Sequence, residues 1–280
     1  MNNILFEKLI ELAIQEDIEK GDHTSLATVS SEQYGKARLI VKQNGIIAGI
    51  EIAKKVFSII DNTLEINIFI NDGSKIKVSD IAFEISGKAQ SILKSERLIL
   101  NIMQRMSGIA TTTNTYVEKI KPYKTKILDT RKTTPGFRIF EKEAVRIGGG
   151  INHRMGLYDM IMIKDNHIDF AGGIEKAIAR TNDYLLKTNL NLKIEIEARN
   201  ITDIETILKH GGVNIIMLDN FNIENTLIAV KLINGKYQTE SSGGITLETI
   251  ADYAACEVDF ISIGALTHHV NSLDLSLKAV

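Results

Sequence analysis

Basic side chains are concentrated in one stretch of the chain, DTRKTTPGFRIFEKEAVRIGGGINHRMGLYDMIMIKDNHI, residues 129–168. The side chains there that could bind an anion are Arg131, Lys132, Arg138, His153, Arg154 and Lys164. Arginine binds carboxylates and phosphates through two parallel hydrogen bonds, whereas lysine supplies one compact charge. Clustered cations repel one another unless an anion neutralises them. The stretch therefore predicts a site for a polyanion or polycarboxylate, with a solvated basic loop as the alternative.

Two acids end the apolar runs that follow, Glu197 after KIEI and Asp219 after NIIML. Beside a phosphate-bearing ligand, carboxylates are repelled unless they bind Mg²⁺ or ribose hydroxyls, so those are the two roles expected of them. Asp219 could instead cap the helix predicted after it. Glu195 has the same strand parity as Glu197 and is expected deeper on the same side.

Glycine-rich segments follow the last two apolar runs, SSGG at 241–244 and GAL at 264–266. Glycine lets backbone N–H groups approach phosphate oxygens, and a helix that begins there adds the positive end of its dipole. Either segment alone is a weak signal, because tight turns also favour glycine. His268 lies four residues after Gly264 and could contact the same phosphate.

A repeat of strand, loop and helix positions these residues from Lys126 onward. The predicted strands are 126–130, 160–164, 193–197, 214–219, 236–241 and 259–263, and the last four end 22 residues apart. Parallel strands with helical crossovers form a barrel or a doubly wound sheet, and a barrel places its active site at the carboxyl ends of the strands. Each predicted strand ends in a polar or glycine-rich segment. Six strands are fewer than eight, so the barrel is expected to be incomplete.

The first part of the chain has a different pattern. It predicts helices at 4–16, 49–60 and about 91–121, and strands at 36–42, 64–70 and 81–85. In the first helix, Leu5, Leu9 and Leu12 recur at helical spacing. In the long helix the expected core contacts are Leu93, Leu100, Met103 and Met106. Strands grouped beside helices indicate an α+β layer domain.

Composition narrows the function classes. The 280 residues carry a net charge of −2, which argues against the generally basic surface of a nucleic-acid-binding protein. One cysteine, Cys256, excludes a disulfide framework. No apolar run has the length of a membrane span, and residues 1–17 carry acids where a signal peptide carries bases. A cytoplasmic protein without nucleic-acid or membrane partners is expected.

The sequence resembles the quinolinate phosphoribosyltransferases, or carboxylating nicotinate-nucleotide pyrophosphorylases, over nearly its whole length. The motifs that carry the resemblance are EDIEKGDHTS (16–25), SERLILNIMQRMSGIATTT (95–113), DTRKTTPGFR (129–138), GGGINHRMGLYDMIMIKDNHI (148–168), LDNF (218–221), SSGGI (241–245) and ISIGALTH (261–268). It implies an α/β chain with an N-terminal α+β sandwich domain, residues 1–112, and an open α/β barrel of about six to seven strands, residues 113–280. The tail at about 268–280 is expected to return to the first domain. A homodimer or larger homo-oligomer is also implied.

The resemblance implies transfer of phosphoribosyl from phosphoribosyl pyrophosphate to quinolinate, with loss of CO₂ and pyrophosphate, in NAD biosynthesis. The implied catalytic residues are Lys132, Lys164, Glu197 and Asp219. Quinolinate is expected at Thr130, Arg131, Lys132, His153, Arg154 and Lys164, and at Arg97 donated by the neighbouring subunit. Phosphoribosyl pyrophosphate is expected at Glu197, Asp219, Ser242, Gly243, Gly244, Gly264 and His268. Mg²⁺ is the implied cofactor, held by Glu197 and Asp219 directly or only through pyrophosphate.

Four alternatives stay open. A related pyrophosphorylase found with molybdenum transport genes differs in the DTRK and KDNH segments, which are intact here. Nicotinate phosphoribosyltransferase shares the fold but needs fewer carboxylate-binding bases. An aldolase-type enzyme could use Lys164 as a Schiff-base nucleophile. A phosphate-binding module without catalysis would usually have lost an acid or base of the site.

Overall fold

The computed structural model describes residues 3–280, with side chains from Leu5 onward. In chain order the helices are α1 (Asn3–Ile18), α2 (His23–Thr28), α3 (Ile50–Ile60), α4 (Ala89–Lys119), α5 (Arg138–Ile147), α6 (Asp165–Ala171), α7 (Ile174–Thr188), α8 (Ile201–His210), α9 (Ile223–Ile233), α10 (Ile250–Ala255) and α11 (Ala265–His268). The strands are β1 (Tyr34–Val41), β2 (Gly45–Ile46), β3 (Glu65–Ile68), β4 (Lys75–Ile76), β5 (Ile81–Lys88), β6 (Lys126–Leu128), β7 (Ile161–Ile163), β8 (Ile194–Ala198), β9 (Ile215–Asp219), β10 (Gln238–Ser242), β11 (Phe260–Ser262) and β12 (Leu275–Ala279). Within this described part, no helix combines the length and apolarity needed to cross a bilayer.

The chain divides into two compact units. The first consists of residues 1–114, 133–149 and 265–280, and the second of residues 115–132 and 150–264. The segment 133–149 therefore groups with the first unit, whereas the predicted boundary placed it in the barrel domain. Aromatic packing explains the difference, because Phe140 of α5 contacts Phe6 of α1 with ring centroids 5.8 Å apart.

The first unit is built on an antiparallel sheet with strand order β12-β1-β5-β3. The C-terminal strand β12 pairs with β1, with Leu277 opposite Leu39, so the end of the chain lies in the first unit. The predicted strand 64–70 is shorter than expected, at Glu65–Ile68. It is an edge strand beside β5, and its regular ladder ends after Ile68 because the N–H groups of Phe69 and Ile70 both donate to the Ala82 carbonyl of β5.

Two predicted core faces of the first unit need correction. On α1, Leu5 and Leu12 are exposed, and Phe6 and Ile10 are the buried residues. On α4, Leu93 is exposed, while the other three predicted contacts of that helix are buried. Apolar residues surround much of each helix, so helical spacing alone allowed two faces, and packing selected one of them.

The second unit contains a six-stranded parallel sheet with the order β6-β11-β10-β9-β8-β7. All six strands lie where the sequence predicts them, and helices connect successive strands from β7 to β11, as in an open α/β barrel. The two strands at the ends of this order, β6 and β7, are joined to the sheet on one side only. The predicted α/β fold with an incomplete barrel is confirmed.

The register of this sheet determines which side chains share a face. Glu197 of β8 and Glu240 of β10 both align with Met217 of β9, and Ser242 aligns with Asp219. Residues aligned in register, and residues two apart on one strand, point to the same face. Glu195, Glu197, Asp219, Glu240 and Ser242 therefore share one face, which is polar. The opposite face carries Ile194, Ile196, Ile216 and Leu218, all buried.

Candidate active site

Asp129 organises the loops at the basic side of the site. This carboxylate directly follows β6 and is fully buried. Its Oδ2 accepts a hydrogen bond from the Asn152 side chain at 2.6 Å, and its Oδ1 accepts one from the His153 backbone N–H at 2.9 Å. Asp129 thus fixes the segment at 152–154 beside the end of β6.

Two arginines are brought together by this arrangement, Arg131 and Arg154. The Arg154 guanidinium donates to the Met160 carbonyl at 3.2 Å. Its pKa is lowered from the ordinary value, first by burial and then by the positive charge of Arg131. Two guanidinium groups close enough to repel favour a bound anion between them. Arg131 and Arg154 therefore lie close enough to interact within the second unit, and an anion site between them stays a prediction.

Thr130 and Lys132 lie on the same loop as Arg131. The Lys132 backbone N–H donates to the Thr130 hydroxyl at 3.0 Å, which holds the turn that follows β6. The Lys132 side chain is exposed and Arg131 is half-buried. Arg138, in contrast, belongs to the first unit, where its Nε donates to the Thr133 hydroxyl at 2.9 Å.

Lys164 and Glu197 form an ion pair that links the basic and acidic residues of the site. The Lys164 Nζ lies 3.1 Å from Oε1 of Glu197, and the Asp165 backbone N–H donates to Oε2 at 3.1 Å. The Glu197 side chain is 9% exposed and that of Lys164 is 45% exposed. Both oxygens of Glu197 are therefore engaged by neighbours on the β7 side.

Asp219 is the last residue of β9, and it does not cap the helix that follows. Asn222 is the cap of α9, because its Oδ1 accepts from the Asn225 backbone N–H at 2.8 Å. The pKa of Asp219 is raised, first by burial and then by the negative charge of Glu197. Its Oδ2 accepts from the Asn220 side chain at 3.0 Å. The two acids are thus close enough to interact, as strand-end residues of adjacent strands should be.

Backbone conformation favours both glycines after β10, and close packing is a second requirement at Gly243. Gly243 has φ 96° and Gly244 has φ 62°, both in the left-handed region that favours glycine. A Cβ atom on Gly243 would lie 2.2 Å from Oδ1 of Asn220. The Asn220 backbone N–H also donates to the Ser242 carbonyl at 2.8 Å, so the turns after β9 and β10 are joined. Gly264 follows β11 and is half-buried.

Besides Arg138, two predicted site residues belong to the first unit. Arg97 is exposed on α4, and His268 is exposed at the end of α11, where its ring lies 4.4 Å from that of His269. The remaining predicted residues all lie in the second unit, at or beyond the carboxyl ends of its strands: Thr130, Arg131, Lys132, His153, Arg154, Lys164, Glu197, Asp219, Ser242, Gly243, Gly244 and Gly264.

A buried group of three side chains lies below these residues, and the sequence analysis missed one of them. The His153 Nε2 lies 2.9 Å from Oε2 of Glu195 and 3.5 Å from Oε2 of Glu240, and both carboxyl groups are inaccessible to solvent. Burial raises the pKa of each glutamate to about 8.

This group has the side-chain types of a metal site, but the hydrogen bonding of His153 argues against one. The Nδ1 of His153 accepts from the Arg154 backbone N–H at 2.6 Å. In a neutral imidazole the proton is then on Nε2, which faces the glutamates and has no lone pair for a metal. The group is better described as a buried polar floor of the site. Glu240 could have been found from strand alternation, because it is two residues before Ser242 and therefore points to the same face of the sheet.

The fold and the site define an α/β-barrel protein of the enzyme type, because barrel enzymes place their active sites at the carboxyl ends of the strands, and here that edge holds arginines, acids and glycine turns. Comparison with known proteins specifies the family. Residues 22–107 match the N-terminal domain of quinolinate phosphoribosyl transferase, and residues 109–278 match its C-terminal domain. This chain belongs to the quinolinate phosphoribosyl transferase family.

Individual relatives agree with this. The chain is 44% identical over 285 residues to quinolinate phosphoribosyltransferase (decarboxylating) 1b of Nicotiana tabacum, covering 96% of this chain and 81% of the relative. It is 41% identical to the probable nicotinate-nucleotide pyrophosphorylase (carboxylating) of Bacillus subtilis (strain 168), covering 99% and 94%. Among solved structures, the nicotinate-nucleotide pyrophosphorylase from Francisella tularensis superposes with a TM-score of 0.93 at 40% identity, covering 100% and 98%. The predicted family is confirmed.

Proposed function

We propose that this chain transfers the phosphoribosyl group of phosphoribosyl pyrophosphate to quinolinate, releasing pyrophosphate and CO₂ and forming nicotinate mononucleotide. The observation that carries the proposal is the pair Arg131 and Arg154: Asp129 holds their two segments together, and the positive charge of Arg131 lowers the pKa of the partly buried Arg154. A ligand with two adjacent carboxylates neutralises such a group better than a monoacid does. The names of the relatives support the same substrate.

In this proposal the basic side of the site binds quinolinate. Arg131 and Arg154 supply planar guanidinium groups that match carboxylates, and Lys132 and Lys164 supply point charges. Thr130 holds the turn that presents the first two of these bases. His153 belongs to the same subsite by position, although both of its ring nitrogens already face groups of the chain.

The acidic side and the glycine turns bind phosphoribosyl pyrophosphate in this proposal. Glu197 and Asp219 accept from ribose hydroxyls, and their negative charge stabilises the cationic sugar formed as pyrophosphate leaves. The turns at 242–244 and Gly264 leave room for the 5′-phosphate. His268 is proposed to contact phosphate as well, from the short helix that follows Gly264.

Mg²⁺ is proposed as the cofactor, and the donor set at the acidic side fits it. Mg²⁺ prefers carboxylate oxygens and usually binds through one or two of them together with substrate phosphates. Asp219 is the better direct ligand, since Lys164 and the Asp165 N–H occupy both oxygens of Glu197. When bound, Mg²⁺ would neutralise the charge of pyrophosphate.

The proposed chemistry requires positioning and charge stabilisation from the chain. The pyridine nitrogen of quinolinate forms a bond to C1 of the ribose while the C1–O bond to pyrophosphate breaks. The resulting pyridinium accepts the electron pair released when the C2 carboxylate leaves as CO₂, and a proton then replaces it. No protein nucleophile is needed, and holding both substrates in register supplies much of the rate.

The Schiff-base alternative is disfavoured by the surroundings of Lys164. Its ammonium is 3.1 Å from a carboxylate oxygen, and a protonated amine held in an ion pair is a poor nucleophile. Covalent trapping by borohydride with a carbonyl substrate would be needed to support that reading.

A homodimer or larger homo-oligomer is part of the proposal, with Arg97 completing the quinolinate subsite of a neighbouring copy. Its exposed position on α4 allows such a contact. A cytoplasmic location is proposed as well, although one relative from Nicotiana tabacum is named mitochondrial and one from Arabidopsis thaliana chloroplastic.

Mass spectrometry of the product tests the proposal. Quinolinate, phosphoribosyl pyrophosphate and Mg²⁺ should give nicotinate mononucleotide, with CO₂ released in equal amount. With quinolinate labelled at the C2 carboxyl group, the label should appear only in CO₂. A product that retains both carboxylates, or no product under conditions where the protein is folded, would reject the assignment.

A further inference from the structure

The buried floor of the barrel contains polar groups that the proposed reaction does not use. Glu195 and Glu240 are inaccessible to solvent, so neither can contact a substrate in this arrangement. Buried carboxyl groups cost free energy unless hydrogen bonds satisfy them. Placing two of them against one imidazole therefore calls for a structural or functional reason.

His153 connects this floor to the substrate side. Its Nε2 faces Glu195 at 2.9 Å, and its Nδ1 accepts the Arg154 backbone N–H at 2.6 Å. The His153 backbone N–H is held in turn by Asp129 at 2.9 Å. The ring thus has no nitrogen left to offer a substrate, and it braces the backbone that carries the Arg154 guanidinium.

We propose that Glu195 and Glu240 are positioning residues that act through the His153 ring on Arg154. The two carboxyl groups hold Nε2–H, which keeps Nδ1 as the acceptor for Arg154 N–H. His153 itself is then a positioning residue and not a direct ligand of the substrate carboxylate. The inference rests on the proposed function, because its readout is the binding of quinolinate.

Two substitutions of Glu240 separate hydrogen bonding from charge. Glutamine matches a neutral Glu240 carboxyl group in shape and keeps an oxygen that can face the His153 Nε2, so Glu240→Gln should leave the quinolinate KM within about threefold of the wild-type value. Glu240→Leu removes both functions. It should raise the quinolinate KM about tenfold or more and the phosphoribosyl pyrophosphate KM less than about twofold, as outer-shell changes at binding sites do.

Thr239→Val is the matched control, since Thr239 is the preceding residue on β10 and points to the opposite face. Its hydroxyl donates to Oδ2 of Asp259 and accepts from the Asp259 backbone N–H, both at 3.1 Å, so the substitution removes two partly buried hydrogen bonds without touching His153. It should lower the melting temperature and leave the ratio of the two KM values unchanged. If Thr239→Val changed the ratio of the two KM values as much as Glu240→Leu does, any loss of stability in β10 would be enough to weaken quinolinate binding. That result would overturn the proposal.

A double-mutant cycle with His153→Asn tests whether Glu240 acts through the ring. The asparagine Oδ1 can replace Nδ1 as acceptor for Arg154 N–H, but the side chain is too short to reach the glutamates. In the His153→Asn background, Glu240→Leu should change the quinolinate KM by less than about twofold, because coupled residues are non-additive. If the two effects multiply in full, Glu240 does not act through His153.

The outcomes separate this inference from the proposed function. A wild-type enzyme that makes no nicotinate mononucleotide contradicts the function. An active wild type whose Glu240→Leu variant keeps the quinolinate KM contradicts only the positioning role. Should Glu240→Leu fail to fold, Glu240→Gln still decides the matter. A Glu240→Gln variant whose quinolinate KM rises about tenfold or more would show that the charge of Glu240, and not its hydrogen bonding, is required, and would overturn the proposal.

Discussion

The two sides of the candidate site are built differently. The cations come from segments beside β6 and β7, the two outer strands of the parallel sheet, and the acids and glycine turns come from β8 to β11 between them. On the basic side, Arg131 and Arg154 lie in loops held together by the buried Asp129. On the acidic side, Glu197 and Asp219 are strand residues whose positions follow from register. Loop geometry therefore sets the first subsite, and sheet geometry sets the second.

This difference suggests a division of substrates by charge, with Lys164 and Glu197 in contact where the two sides meet. A ligand that binds between the arginines reduces their repulsion. A ligand on the acidic side must instead bring cationic character, either a metal ion or a developing positive charge on ribose. The two subsites should consequently respond to different substitutions.

The largest expected effect concerns substrate choice. Nicotinate lacks the second carboxylate, so it should leave part of the basic cluster without a partner. We expect its kcat/KM to be lower than that of quinolinate by about 1000-fold or more, because unpaired polar groups in a site discriminate strongly. Competition kinetics with both acids would measure this. Comparable rates would mean that the bases serve another ligand.

Substitutions on each side of the site should separate the two substrates. Lys132→Ala should raise the quinolinate KM more than the phosphoribosyl pyrophosphate KM, and Asp219→Ala should do the reverse. Each should cost about 2–4 kcal/mol of transition-state binding, as lost charged contacts in partly desolvated sites do. Asp219→Ala should also change the Mg²⁺ dependence. Equal shifts of both Michaelis constants in both variants would contradict the division by charge.

A third prediction asks whether the basic side is completed by another copy of the chain. Arg97→Ala should lower kcat/KM roughly 10- to 100-fold, the cost of a hydrogen bond to a charged group. Mixing this variant with Lys164→Ala should restore part of the activity, because one site of each mixed dimer keeps both residues. Each variant alone, taken through the same exchange procedure, is the control. Absence of recovery after verified subunit exchange would place Arg97 outside the partner's site.

The smallest effect is expected at the glycine turn of the acidic side. Gly243→Ala places a Cβ atom 2.2 Å from Oδ1 of Asn220 at a φ of 96°, so the turn must shift. Its phosphoribosyl pyrophosphate KM should rise about tenfold, in line with the cost of backbone strain. Gly244→Ala is the comparison, since no atom lies within 4 Å of its added Cβ, and it should cost less. An unchanged KM in Gly243→Ala would place the 5′-phosphate elsewhere.

Local sequence signals were sufficient for much of this description. The six barrel strands, the polar residues at their carboxyl ends and the placement of Glu195 below Glu197 all follow from alternation and from the strand–helix repeat. These features depend on side chains a few residues apart, which is the range over which a period of two or 3.6 is visible. The resemblance to the family added the expected substrate and the expected role of Arg97, which periodicity does not contain.

Other features were decided only by the tertiary structure. Helical spacing allowed two faces on α1, and packing of Phe6 against Phe140 selected one that excludes Leu5. In the sequence, Asp129 has no feature that distinguishes it from other loop acids. The structure shows that its carboxylate accepts hydrogen bonds from the segment at 152–153. Glu240 lies near Glu195 and His153 because β8 and β10 flank β9 in the sheet, and the register directs the side chains of Glu195 and Glu240 to the same face of that sheet. The chain sequence determines which groups a strand presents, but strand order and register determine which groups meet, since those depend on pairings between distant segments.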